Sequence, residues 1–165
     1  MTRPDVVADA GPLLALACCA HLDLLSAVFA AVHVPQVVLD ETTVDLHRPG
    51  ASDIATFVPA HAQLHPRRDD AFHAAVLGYP DEGESQALSL ARELGCGVLI
   101  DERRGRQAAR RHGIPLFGVV GVLLQAKRIG RLGRVAPALE QMRANGYRIT
   151  DPLVEEALQL AGEGI

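Results

Sequence analysis

Short runs of β-branched residues alternate along the chain with longer Ala- and Leu-rich stretches whose apolar positions recur at helical spacing. That alternation predicts an α/β domain built on a mostly parallel sheet. Val6-Val7-Ala8 reads as the first strand, and Pro12 suits the first turn of the helix that follows. A helical run at 22–30 leads to a strand at 32–34, and Pro35 opens a helix reaching about residue 46. Residues 47–80 are broken by Pro49, Gly50, Pro59, Pro66, Gly78 and Pro80, so only a short helix and a strand near Phe57-Val58 are drawn there. Periodicity returns with a helix at 81–94, a strand at 97–100, a helix at 103–112 ended by Gly113, and a strand at 116–119. Helices follow at 121–129, 136–144 and 152–161. No Gly-, Ser- or Pro-rich linker divides the chain, which predicts one domain over 1–165.

Composition narrows the class. The chain has 165 residues, 48% hydrophobic and 22% charged, enough to bury a core without disulfides or structural metal. Cys18 and Cys19 are adjacent and Cys96 stands alone, so no zinc pattern forms. They read as small buried hydrophobes in a reducing cytosol, an expectation of a cytoplasmic protein. The most apolar stretch, 10–20, is shorter than the roughly 20 residues a membrane helix needs. Asp5, Asp9 and Pro12 interrupt what would be a signal peptide, so this segment is read as fold.

Two acids directly follow strands, Asp9 and Asp101, and in open α/β sheets ligands bind beyond the carboxyl ends of strands. Each taken singly is equally a helix cap or a turn residue. On the helix after Pro35, Glu41 falls in the arc of Val37, Val38 and Val44, with Asp40 off its edge. Glu84 shares a face with Ala87, Leu88 and Ala91, and Asp81-x-x-Glu84 also reads as a capping box. A carboxylate on an apolar face must be paired, protonated or bound to a cation. Four acids aimed at one crevice point to Mg²⁺ or Mn²⁺, which prefer carboxylate and water oxygens. The chain has neither a P-loop nor a Gly-x-Gly-x-x-Gly motif, and His61 and His65 read as a surface pair.

The formal charge of −4 conceals a strong asymmetry. Residues 1–102 hold 5 bases and 15 acids, 103–134 hold 9 bases and no acid, and 135–165 hold 2 bases and 5 acids. Arg103, Arg106 and Arg110 form a stripe on one helix, while Gly105, Ala108 and Ala109 form a small-residue face suited to packing on a sheet. The stripe is either a solvated face or, because it begins beside Asp101, the border of the acid site. A phosphodiester is the substrate group that suits both metal ions and arginines.

Several motifs together resemble a known family: Asp9-Ala10-Gly11-Pro12-Leu13, His33-Val34-Pro35 followed by Glu41, and Asp81-Glu82-Gly83-Glu84 with Ala87. Ile100-Asp101-Glu102-Arg103 with Arg106 and Ala109, and Ala126-Lys127-Arg128-x-Gly130, extend the match. In order and spacing, from Val6 to about Glu163, they resemble a prokaryotic branch of the PIN-domain proteins similar to VapC-type toxins. The resemblance implies a three-layer α/β/α, Rossmann-like fold with a central parallel sheet and a metal-dependent ribonuclease site for single-stranded RNA. It carries catalytic and metal-binding roles onto Asp9, Glu41, Glu84 and Asp101, with Mg²⁺ or Mn²⁺ as cofactor. Arg103 and Arg106 take the place of RNA contacts, and Asp81 and Glu102 stand beside the ligands with roles left open. It further implies a small antitoxin partner and a homodimer, whose surface would come from the apolar helices near 13–25 or from the C-terminal helix. Many PIN proteins carry Ser or Thr just after the first acid, where this chain has Ala10 and Gly11. A non-catalytic nucleic-acid-binding protein on the same fold is the alternative. A phosphatase using Asp9 as nucleophile would want a second acid where Gly11 stands.

Overall fold

The computed structural model describes residues 2–78 and 81–164, so Pro80, read above as a chain breaker, lies outside the described residues. Strands β1 (Val6–Ala8), β2 (Val32–Pro35), β3 (Gln63–His65), β4 (Gly97–Leu99) and β5 (Leu116–Phe117) form one parallel sheet in the order β3-β2-β1-β4-β5. Val6 pairs with Val32 on one side and Gly97 on the other, and Ala8 pairs with Leu99. Ten helices are described: α1 (Ala10–Cys18), α2 (Asp23–Val28), α3 (Gln36–Thr43), α4 (Ala51–His61), α5 (Ala71–Val76), α6 (Glu82–Leu94), α7 (Arg103–Arg111), α8 (Val119–Arg128), α9 (Ala136–Ala144) and α10 (Asp151–Leu160).

Alternation along the strands divides the core. Val6, Ala8, Val34 and Leu99 face a cluster supplied by α1, α2, α4, α8 and α9. Val7, Val98 and Ile100 point the other way, onto α6 and α7. The result is the three-layer α/β/α architecture expected from the sequence. Gly105, Ala108 and Ala109 are all buried, so the small-residue face of α7 does pack inward. At the far end of the chain Glu163 accepts bonds from Lys127 Nζ at 2.9 Å, Val135 N at 2.8 Å and Ala136 N at 3.1 Å, tying α8, α9 and the C-terminal residues together.

Three sequence expectations are corrected. The pair Phe57-Val58 lies in α4, not in a strand; with Ala51 and Ile54 it forms a buried stripe at helical spacing, and Pro59 is carried inside the helix. The strand of this region is β3, an edge strand whose Gln-Leu-His sequence is mostly exposed and has no apolar run to betray it. The helix after Pro35 stops at Thr43, so Val44, expected beside Glu41 on an inward arc, is 84% exposed. Thr42 is buried instead, and its hydroxyl bonds back to Val38 O. Among the surfaces considered for pairing, Leu13, Leu16, Leu24 and Leu25 belong to the core, whereas Leu153 and Leu160 of the C-terminal helix are exposed. No helix of the described residues is long and apolar enough to cross a membrane.

Candidate active site

The strand order reverses direction of growth between β1 and β4, the place where open α/β sheets leave a crevice. Asp9 leaves β1 there, with its backbone N–H donating to Leu99 O at 3.0 Å across the gap. Its residue is 4% exposed, and it stands at the head of α1 without the side-chain bond of a helix cap. Among the described residues its Oδ1 has no hydrogen-bond partner. A buried, unsatisfied carboxylate oxygen at a strand end is costly unless something else meets it.

Helix α6 brings in the second acid. Asp81 caps the helix by accepting the Glu84 N–H at 2.8 Å, and Glu84 Oε2 accepts the Asp81 N–H at 3.2 Å. Glu84 is therefore both the capping-box glutamate and a buried acid facing the cleft, so the two roles read in the sequence coexist. Between them sits Gly83, where the Glu41 Oε1 atom occupies the space a Cβ would need. Only glycine lets the carboxylate of α3 lie against α6 in this way. Glu41 is thus drawn to the cleft by contact with α6, while its residue remains solvent-exposed rather than buried among valines.

Asp101 is held differently. It accepts the Tyr147 hydroxyl, and the Val119 N–H at the head of α8 lies 3.3 Å from Oδ2. Gly118 leaves room, since a Cβ there would lie 3.1 Å from Asp101 Oδ1. Tyr147 arrives from the loop between α9 and α10.

The acids line a cleft of two lobes. One lobe, of about 380 Å³, holds Asp9, Glu41, Asp81 and Glu84. The other, of about 430 Å³, holds Asp9, Asp101 and Tyr147. Asp9, Gly11, Arg48 and Glu102 border both. The structure therefore places Asp9, Glu41 and Glu84 on the lining of one lobe, with Asp101 and Asp9 on that of the adjoining lobe. Arg103 is exposed and lines neither lobe; Arg106 Nη1 donates to Ile100 O at 2.8 Å, bracing the end of β4 behind Asp101. The cations that do line the cleft are Arg48, Arg104 and Arg148. Sequence reasoning missed Arg48, in the unreadable middle segment, and Tyr147, whose only local signal is the turn made by Asn145-Gly146 before it.

Burial raises the pKa of all four acids. For Asp9 burial dominates, the Ala10 amide opposes it, and Glu84, Asp81 and Glu41 add repulsion. Glu84 is pushed up to about 7 by burial and by Asp81, against the Asp81 amide bond, with Glu102 and Glu41 adding to the rise. Glu41 rises through burial and Asp81, with Arg48 opposing. Asp101 rises through burial, while Tyr147, Val119 and Arg106 hold it down. The Tyr147 phenol rises too, through burial and the adjacent Asp101, and so stays a donor.

As placed, no three His, Cys, Asp or Glu side chains among the described residues converge on a single ion position. The donor chemistry nevertheless fits a hard divalent cation. The lobe offers only carboxylate oxygens as charged acceptors, one of them buried and orphaned, and their mutual repulsion is what a cation would relieve.

A parallel Rossmann-like sheet with acids gathered at its switch point is the arrangement of the PIN nuclease fold. A family model described as PIN domain, DUF3368, matches residues 5–163, and the chain belongs to that family. Among solved structures it is similar to a PilT N-terminus domain protein, SSO1118, from the hyperthermophilic archaeon Sulfolobus solfataricus P2. The two share 10% identity with a TM-score of 0.50, over 88% of this chain and 97% of that one, a likeness of fold. Comparison with curated proteins returns no match.

Proposed function

We propose that this PIN-domain protein is a metal-dependent ribonuclease that hydrolyses phosphodiester bonds of single-stranded RNA. The observation that carries the reading is the meeting of Asp9 with Glu41, Asp81 and Glu84 at the switch point, with Asp9 Oδ1 buried and unpartnered. Asp9, Glu41, Glu84 and Asp101 would hold Mg²⁺ or Mn²⁺, with Asp81 and Glu102 within the same cleft. When bound, such a cation supplies activation of water and neutralisation of charge at the phosphorus. The chain's own residues prepare the place. Asp9 is fixed by β1 and its bond to Leu99, Glu84 by its capping box, and Asp101 by Tyr147 and Val119. Arg48, which borders both lobes, is positioned to meet a phosphate of the strand. Arg104, at the start of α7, lines the acidic lobe, and Arg103 is exposed beside it in sequence.

The toxin role, a small antitoxin partner, a homodimer and a cytoplasmic location rest on the resemblance and on cysteine usage. The test is cleavage of a fluorescent single-stranded RNA with and without Mg²⁺ or Mn²⁺. Asp9→Asn should abolish metal-stimulated cleavage with the circular-dichroism spectrum unchanged. Full cleavage by that variant would refute the assignment, and no turnover by the wild type with any divalent ion would leave the non-catalytic binding protein as the better reading.

A further inference from the structure

The lobe beside Asp101 differs from its neighbour in chemistry as well as position. Its volume of about 430 Å³ lies within the range of small-ligand sites. Its apolar lining comes from Ala15 and Pro49, with Leu14, which also borders the acidic lobe, and Tyr147 lines it as well. Arg48 and Arg148 add positive charge, and Asp9, Asp101 and Glu102 place the acids against it.

The tyrosine is braced at both ends. Gly146 turns the chain with φ +89°, and the Tyr147 N–H donates to Met142 O at 3.0 Å. Arg143 then spans the rest of the loop, donating to Ile149 O at 2.9 Å and to Asp151 Oδ1 at 2.7 Å. At its tip the hydroxyl is bound to Asp101. A ring fixed in this way loses little conformational freedom when a ligand packs against it. Gly11 lies beside the ring, since a Cβ there would stand in ordinary contact with Tyr147 Cε2 at 3.9 Å.

A ligand suited to this lobe has a flat ring for the apolar walls and an adjoining anion for the arginines. A free phosphate would leave the apolar wall unused and meet the carboxylates. We propose that the lobe is the subsite for one nucleobase of the substrate strand, next to the phosphodiester to be cut, with Tyr147 as its stacking platform. The proposal rests on the nuclease reading above and adds that the strand enters with one base unstacked from its neighbours.

The test uses the full chain carrying Asp9→Asn, in Mg²⁺, so that RNA is bound and not cut. Labelled single-stranded oligonucleotides with one abasic position, moved along the sequence, are titrated by fluorescence anisotropy against this protein and against the same protein with Tyr147→Ala. One abasic position is expected to weaken binding about tenfold, as losing a base–aromatic stack does, and Tyr147→Ala to weaken intact RNA by a similar factor. The two losses should not add. Abasic penalties that are the same in both proteins at every position would overturn the proposal alone, leaving the nuclease reading standing. Absence of any oligonucleotide binding would also overturn the proposal, while the nuclease reading is judged separately by cleavage with the wild-type protein. A second measurement needs no substitution at the tyrosine. Cys18 lines this lobe, whereas Cys96 precedes β4 at the opposite end of the sheet. Both are half-exposed thiols. In alkaline buffer, oligonucleotide should slow alkylation of Cys18 relative to Cys96, read by peptide mass spectrometry, and an unchanged ratio would overturn the proposal.

Discussion

Replacing Glu84 by Gln separates the charge of the acid cluster from its packing. The side chain is buried, and its Oε2 accepts the Asp81 N–H at 3.2 Å, a bond the amide oxygen of Gln can keep. What disappears is a carboxyl pushed up to about 7 from its ordinary 4.5, first by burial and then by Asp81. A group whose pKa is raised on folding holds its proton more tightly in the native state. Its contribution is therefore fully present below about 4.5 and is lost as the pH climbs to about 7. The displacement corresponds to at most about 3 kcal/mol, and water in the open cleft screens it to roughly 1–2 kcal/mol. At roughly 2–4 °C per kcal/mol for a chain of this length, metal-free Glu84→Gln should melt about 2–8 °C above wild type near pH 8. Near pH 3.5, where Glu84 is protonated in the folded and the unfolded chain alike, the two should coincide. Adding Mg²⁺ should raise the wild-type melting temperature by mass action and raise the variant's less. Parallel melting temperatures across that pH range, or equal gains from Mg²⁺, would show that Glu84 carries neither the strain nor the metal.

Gly83→Ala tests the contact between α3 and α6. The new methyl would displace the Glu41 carboxylate, the far end of a flexible side chain, so the fold should be unchanged or up to about 1 kcal/mol more stable through helix propensity. Metal affinity, followed by the melting shift with Mn²⁺, should fall; an undiminished shift would remove Glu41 from the site. Arg48→Ala should weaken RNA binding across all sequences and lower the slope of log affinity against log salt by about one, the signature of a single phosphate contact. An unaltered slope in a salt titration would assign the strand's path elsewhere.

The layered fold was legible because its determinants are local. Val6-Val7-Ala8, 32–34 and 97–100 are apolar runs bounded by turn residues, and α6 and α7 carry strong helical periodicity. The middle segment was not, because β3 is held by pairing with β2 rather than by its own composition, and α4 keeps a proline that local rules assign to a break. The acids divide in the same way. Asp9 and Asp101 could be found because each directly follows an apolar strand, and Glu84 because a carboxylate on the apolar face of a helix is anomalous wherever it occurs. Glu41 was found by an arc that includes an exposed valine; its real tether is Gly83, more than forty residues away, which no period along α3 encodes. Arg48 and Tyr147 reach the cleft from loops, where side-chain direction follows from long-range contacts that a linear pattern does not contain.

One signal for those contacts was nonetheless present in the sequence, in glycines placed where a helix or its entry gains nothing from them. Gly83 in α6 opposes Glu41, and Gly118 at the head of α8 opposes Asp101. A glycine in such a position costs helix stability relative to alanine, and close approach of another group is a reason to keep it. The departure at Ala10-Gly11, where many PIN proteins carry a hydroxyl, then reads differently. A hydroxyl does reach this cleft, from Tyr147 at the other end of the chain, and it is bound to Asp101. A Cβ at position 11 would stand 3.9 Å from Tyr147 Cε2, an ordinary contact, so the ring lies directly against this turn of α1. Tyr147 thus brings to the cleft, from far along the chain, a hydroxyl that holds Asp101, where Ala10 and Gly11 bring none.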